Sequence, residues 1–354
     1  MLLSVVVPVY NEEESLPQLL AALRKVLELI GSEYEIVFVN DGSCDGTARL
    51  LREEARRDRC VKVLHFSRNF GHQAALTAGL DFAAGDAVVV MDADLQHPPD
   101  LLPEMLRLYR EGFDVVSAQR RSRTSDGPVK RATSAAFYWL MRKAVDRRLP
   151  AQVPDFRLFS REAVQAIRGL REQHRFLRGL VAWLGLREAI VPFDQTPRAA
   201  GRSKYRLAGM LRFAWTAVSS FSALPLRLSL FAGLLATLAG AAYFIYILYA
   251  TFVTKATVPG WSSLACLQIV FSGLMLIAIG LVGEYVARLY EEVKQRPLYV
   301  VTEANNIARP PDEPSRAVLL REAIHAADSP PCEAPADQHR VDTANVGPAA
   351  ERSP

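Results

Sequence analysis

The stretch Val88–Asp100, VVVMDADLQHPPD, decides how this chain is read. Its first residues are apolar on both faces, as in a strand of a parallel sheet covered by helices on both sides. It then runs straight into Asp92, Asp94 and Gln96. In an extended segment, side chains at i and i+2 share a face. Asp92 with Asp94, or Asp94 with Gln96, can therefore converge. Hard oxygen donors without a thiolate or a histidine pair suit Mg2+ or Mn2+ better than zinc. The alternative is that the two aspartates simply end a strand and cap a helix opening near Pro98. His97 reads as a loop residue.

Working outward, apolar runs at Leu3–Val9, Glu35–Asn40, Val61–Phe66, Ala87–Met91 and Val115–Ala118 read as strands. They alternate with helix-length amphipathic segments at Glu13–Ile30, Gly46–Arg57, Gln73–Ala84 and Pro99–Glu111. The alternation predicts an α/β fold with a mostly parallel sheet. Ligands of such sheets gather at the carboxyl ends of the strands. The polar residues lie there: Tyr10-Asn11-Glu12, Asp41-Gly42-Ser43, Ser67-Arg68-Asn69 with Gly71-His72, and Asp92 with Asp94. No G-x-G-x-x-G follows the first strand, which argues against a dinucleotide-dependent oxidoreductase.

From Leu228 about 26 residues pass without a charge, and after Lys255 about 28 more, where about 20 suffice to span a bilayer. Arg206, Arg212 and Arg227 precede the first run; Arg288, Lys294 and Arg296 follow the second. The positive-inside rule then places both termini in the cytoplasm, and the Ala- and Arg-rich composition and small size suggest a bacterium, hence its inner membrane. The expected organisation is a cytosolic catalytic domain over 1–203, an interfacial amphipathic segment over 204–225 and transmembrane helices over 226–254 and 261–287. A disordered cytosolic tail is expected over 303–354. The net charge of +4 is mild and implies no nucleic acid, and the basic clusters read as solvated faces. The four cysteines lie far apart without metal-ligand spacing, which suits a reduced setting. The apolar N-terminus lacks a basic n-region and reads as a first strand, not a signal peptide.

The motifs VVVPVYNEEESL, VNDGSCDGT, SRNFGHQAAL, MDADLQHPPD, DFRLFSR and AGRSKY, in this order, resemble the family 2 glycosyltransferases of the polyprenyl-phosphate type. That group includes bactoprenol glucosyltransferases and dolichol-phosphate mannose synthases. The likeness covers Leu3 to Lys294, including the paired apolar runs. It implies a GT-A fold (Rossmann-like) and inverting transfer of a hexose from a nucleoside-diphosphate sugar, UDP-glucose first among them. The acceptor implied is undecaprenyl phosphate at the cytoplasmic membrane face. By position, Pro8, Tyr10, Glu12, Asp41 and Asp92 would bind the nucleotide sugar. Asp92, Asp94 and Gln96 would bind Mg2+ or Mn2+, and Asp155 with Asp94 would serve catalysis. Arg120, Lys130, Arg202 and Lys204 fall where the family contacts lipid phosphate or diphosphate. Arg202 and Lys204 equally suit an anchor to anionic membrane lipids. A homo-oligomer is implied by the same resemblance.

Two departures bear on substrate preference: Gln195 stands where many relatives carry arginine, and Ala118-Gln119-Arg120 replaces a G-x-R. Mannose from GDP-mannose, N-acetylhexosamine and aminoarabinose are the alternative sugars. A non-catalytic scaffold or flippase component is the alternative from another class. A phosphate-monoester acceptor is already largely dianionic near neutral pH, its second pKa being about 6. It therefore needs cationic partners more than a base, and Asp155 is expected to orient the acceptor or a basic group.

Overall fold

The computed structural model describes residues 1–121, 153–173, 175–194, 224–253, 260–307, 317–319 and 324–325. Lys130, Arg202, Lys204, Gln195 and all but the last two residues of the expected interfacial segment lie outside them.

Among the described residues a ten-stranded mixed sheet forms the core. Its first strands are β1 (Leu2–Val9), β2 (Glu33–Asn40), β3 (Val61–Phe66), β4 (Ala87–Val90) and β5 (Val115–Arg120). Then come β6 (Arg157–Ser160), β7 (Glu188–Phe193), β8 (Tyr299–Asn305), β9 (Ala317–Leu319) and β10 (Ile324–His325). The order is β10-β8-β3-β2-β1-β4-β6-β5-β7, with β9 paired to β8. Strands β3, β2, β1 and β4 are parallel neighbours. Strand β6 runs antiparallel to both β4 and β5. This is the mostly parallel α/β sheet expected from the alternation of strands and helices.

Helices α1 (Leu16–Ile30), α2 (Thr47–Arg57) and α4 (Leu102–Arg110) cover one face. Helix α1 shows why: Leu16, Leu19, Leu20, Leu23, Val26 and Leu27 recur at three- and four-residue intervals, and all are buried. The other face carries α3 (His72–Phe82), α5 (Arg161–Gly169) and α6 (Leu177–Leu184). Helix α3 lies close on β1: a Cβ added at Gly79 would come within 2.1 Å of Val6 Cγ1. Every residue of α3 from Ala75 onward is buried, Asp81 included.

The two uncharged runs are helices α7 (Leu224–Phe252) and α8 (Trp261–Val293), both long and apolar enough to cross a membrane. None of their apolar windows is buried in the protein, so neither is a core helix.

Two expectations change. The sheet does not end near residue 203, because β8 returns after α8 and pairs antiparallel with β3. A tail beginning at 303 would cut this strand. Tyr299, Val301 and Ala304 are fully buried, and Arg52 holds Glu303 through its Nε at 2.9 and 3.0 Å. The side chain of Asn306 donates to the carbonyls of Ala55, Asp58 and Val61. This strand was missed because it follows a membrane-length helix and precedes a Pro-rich segment, so its partner lies over two hundred residues back. The cysteines are not all reduced either: Cys44 is a free exposed thiol, but Cys60 is disulfide-bonded.

Candidate active site

The carboxyl ends of β1 to β4, and the entry to β6, converge on one edge of the sheet. Asn11, left-handed at φ 55°, stitches the first two ends together. Its N–H donates to Ser43 Oγ at 3.0 Å, and its Oδ1 accepts from the Cys44 N–H at 2.8 Å. Tyr10 beside it is 39% exposed, whereas Pro8 is buried within β1. The Glu12 N–H donates to Thr47 Oγ1, and its carboxylate accepts from Ser15 Oγ at 2.6 Å.

Asp41 is buried and faces inward. Its carboxylate accepts from the N–H of Phe70 at 2.7 Å and of Gly71 at 3.0 Å. It thereby holds the turn between β3 and α3. Gly42, at φ 67°, allows the approach, since a Cβ there would lie 2.5 Å from the carbonyl carbon of Arg68. Burial raises the pKa of Asp41, against the opposing pull of those two amides.

The turn held by Asp41 delivers His72 and Gln73 to the site at the start of α3, neither of which was among the expected site residues. His72 Nε2 lies 3.6 Å from Asp92 Oδ1 and 3.6 Å from Asp155 Oδ2. Partial burial works against its protonation, but the Asp155 and Asp92 carboxylates outweigh that and raise its pKa. The signal for it in the sequence was its place at a strand end, yet only the fold sets it between two carboxylates.

Asp155 is nearly fully buried and doubly held. Arg178, from α6, donates through Nε to Oδ1 at 2.7 Å and through Nη2 to Oδ2 at 3.1 Å. Gln73 Nε2 reaches Oδ2 at 3.5 Å, while Gln73 Oε1 accepts the Leu177 N–H at 3.0 Å. Burial alone would favour the neutral acid, but Arg178 and His72 dominate and hold the carboxyl well below the usual carboxylate range. A carboxylate so acidic and so fully engaged is a poor proton acceptor.

Asp92 shows the opposite behaviour. Burial raises its pKa and Asp155 adds to this, while His72, Arg178 and Arg120 pull it down. Arg120, at the end of β5, is near enough to Asp92 to bear on its charge. His97 is a loop residue as expected, but a buried one that serves as a post. Its ring is fully buried, stacks on Phe156 at 5.0 Å and meets Phe193 edge-on. Its Nδ1 accepts the Asp92 N–H at 3.0 Å, which leaves the proton on Nε2, 3.6 Å from Asp92 Oδ2. Burial pushes its pKa down to about 4, so the ring is neutral. Asp94 Oδ1 accepts the Gln96 N–H at 3.1 Å across Leu95, which is left-handed at φ 58°.

Among the described residues no group of three or more His, Cys, Asp or Glu forms a ready metal cage. Asp92, Asp94 and Gln96 nevertheless share one turn, half-exposed and hard in donor type. Such a set fits a divalent ion whose remaining ligands are substrate oxygens and water.

A doubly wound α/β domain with acidic strand ends and no G-x-G-x-x-G after β1 lacks the dinucleotide-binding fingerprint. The chain matches the model of glycosyl transferase family 2 over residues 4–168. It is 43% identical over 304 residues to an uncharacterized glycosyltransferase, YkcC, of Bacillus subtilis, covering 86% of this chain and 94% of that one. It is 40% identical over 301 residues to the bactoprenol glucosyl transferase of Shigella phage SfV, covering 85% and 98%. Among solved structures, glucosyl-3-phosphoglycerate synthase of Mycobacterium tuberculosis, with Mn2+, UDP and glucosyl-3-phosphoglycerate, matches with TM-score 0.45 and 20% identity. That match covers 62% of this chain and 79% of that one. The chain belongs to glycosyltransferase family 2 and is a glycosyltransferase.

Proposed function

We propose that the protein transfers a hexose, glucose from UDP-glucose first, to a polyprenyl phosphate at the cytoplasmic face of the bacterial inner membrane. One observation carries this. At a single sheet edge His72 sits between Asp92 and Asp155, and the two membrane-length helices lead straight back into the same sheet. The bactoprenol named for the phage relative is such an acceptor.

On this reading Tyr10, Glu12 and Asp41 border the nucleoside, Asp41 mainly by shaping the turn that closes over it. Asp92, Asp94 and Gln96 would hold a Mg2+ or Mn2+ ion, which when bound would offset the charge growing on the departing diphosphate. The His72, Arg178 and Arg120 side chains supply positive charge close by. An acceptor phosphate that arrives as an anion needs those cations and alignment, and it needs no proton removed. Asp155 therefore orients Arg178 and His72 and does not act as a base. Lys130, Arg202 and Lys204 are the further phosphate partners, with α7 and α8 keeping the site at the headgroup level where the acceptor's lipid tail confines it.

The test incubates membranes carrying the protein with a panel of labelled nucleotide sugars, undecaprenyl phosphate and Mg2+ or Mn2+. Label should enter the lipid phase from UDP-glucose, and both chelation and Asp94→Ala should abolish it. Label from GDP-mannose or another donor instead would reassign the sugar. No transfer from any donor would reject the enzyme.

A further inference from the structure

Helix α8 has 33 residues, about 50 Å at 1.5 Å each, against a hydrocarbon core of about 30 Å. Its last turns, from Glu284 to Lys294, carry the helix's charged residues and form the stalk that reaches the catalytic domain. The stalk meets the catalytic domain at Gln173, which belongs to none of the groups described at the site. Glu292 Oε2 accepts the Gln173 N–H at 2.9 Å, and the Gln173 side chain donates to the carbonyl of Arg296.

Gln173 belongs to a short strap linking two buried charge pairs. Just before it, Arg171 forks onto Asp81 at 2.7 Å through each terminal nitrogen. Asp81 also accepts from the Tyr299 hydroxyl at 2.7 Å, on the strand into which α8 runs. Just after it, the Leu177 N–H binds Gln73, and Arg178 forks onto Asp155. One end of the strap is fixed to the stalk and β8, the other to the site carboxylate. Bidentate guanidinium–carboxylate pairs are geometrically specific, and Gln173 stands two residues after one of them and five before the other, so a shift of Gln173 bears on both.

From this geometry we infer that the seating of α8 sets the placement of the Asp155–Arg178 pair, which makes Glu292 and Gln173 positioning residues for turnover. The physical logic is depth. A lipid-tethered phosphate arrives at a height fixed by the bilayer, and a site gauged from the membrane helix is held at that height. A misplacement of about 1 Å can cost about a hundredfold in rate.

The turnover arm rests on the transfer reaction proposed above; an exchange arm does not. In membrane-embedded protein, Glu292→Ala should lower kcat about three- to tenfold with the donor KM unchanged. Glu292→Gln, which keeps an acceptor oxygen, should restore it. Arg178→Lys combined with Glu292→Ala should lose less than the product of the two single losses. Hydrogen exchange at the Leu177 amide should quicken in Glu292→Ala and not in Glu292→Gln, whatever reaction the enzyme runs. Unchanged exchange at Leu177, or multiplicative losses in the double variant, would overturn the inference. An enzyme silent toward every donor would reject the reaction while leaving the exchange result to decide the strap.

Discussion

Two buried aspartates near opposite ends of α3 make the same bond and do different things. Asp81, close to its C-terminus, is gripped by Arg171 and capped by the Tyr299 hydroxyl. Asp155, beside its N-terminus, is gripped by Arg178 and faces a half-exposed His72 with Asp92 beyond. The first pair is closed on every side and ties strand to helix. The second opens onto the titratable groups of the sheet edge. An ion pair is thus a structural bolt or part of a site according to what completes its shell, and neither is distinguishable by its own geometry.

The contrast can be broken most sharply at the site. Asp155→Asn should lower kcat about 10²- to 10³-fold, because the cationic edge loses its anchor. Its melting temperature should fall less than that of the bolt variant, and near-normal turnover at saturating substrates would remove Asp155 from the machinery. Asp81→Asn should reverse the balance. Stranding the buried Arg171 should cost about 3 kcal/mol of stability, seen as a lower denaturation midpoint, with a smaller loss of turnover.

Acid sharpens the contrast further. The native pKa of Asp155 is depressed, so its pair contributes full stability above the unfolded value of about 3.9. That contribution is lost only as pH falls through the native value. Acid unfolding between about pH 8 and pH 5 should therefore draw nothing from this pair. In Arg178→Met burial is unopposed by the guanidinium, and the acid limb should move up by about one pH unit or more. The smallest effect is expected from Tyr299→Phe. It deletes one of the bolt's bonds and should cost about 1 kcal/mol, read as a modest shift in the midpoint.

Much of the fold was legible because strands β1 to β5 and helices α1 to α4 are local patterns. Their apolar periodicity is set by covering a sheet, and it survives in sequence to within a few residues. The carboxylates Asp41, Asp92 and Asp94 were legible for a related reason, since each lies just past the carboxyl end of a strand, where such sheets collect ligands; Asp155 was legible only through the family resemblance. His72, Arg178 and β8 were not. His72 matters only because α3 places it between Asp92 and Asp155. Arg178 matters because α6 folds back twenty-three residues onto Asp155. Strand β8 finds its partner across a gap of more than two hundred residues. The burial of the loop residue His97 was not legible, because its stacking on Phe156 depends on a partner fifty-nine residues away.

The sequence by itself therefore determined the class of sheet, the acidic edge and the two membrane-length helices, all of which follow from local composition and period. Tertiary structure alone decided which arginine meets which aspartate, and that the chain returns from its last long helix to complete the sheet. Those choices depend on long-range pairing and burial, where a charge is stable only if the fold brings its partner to it.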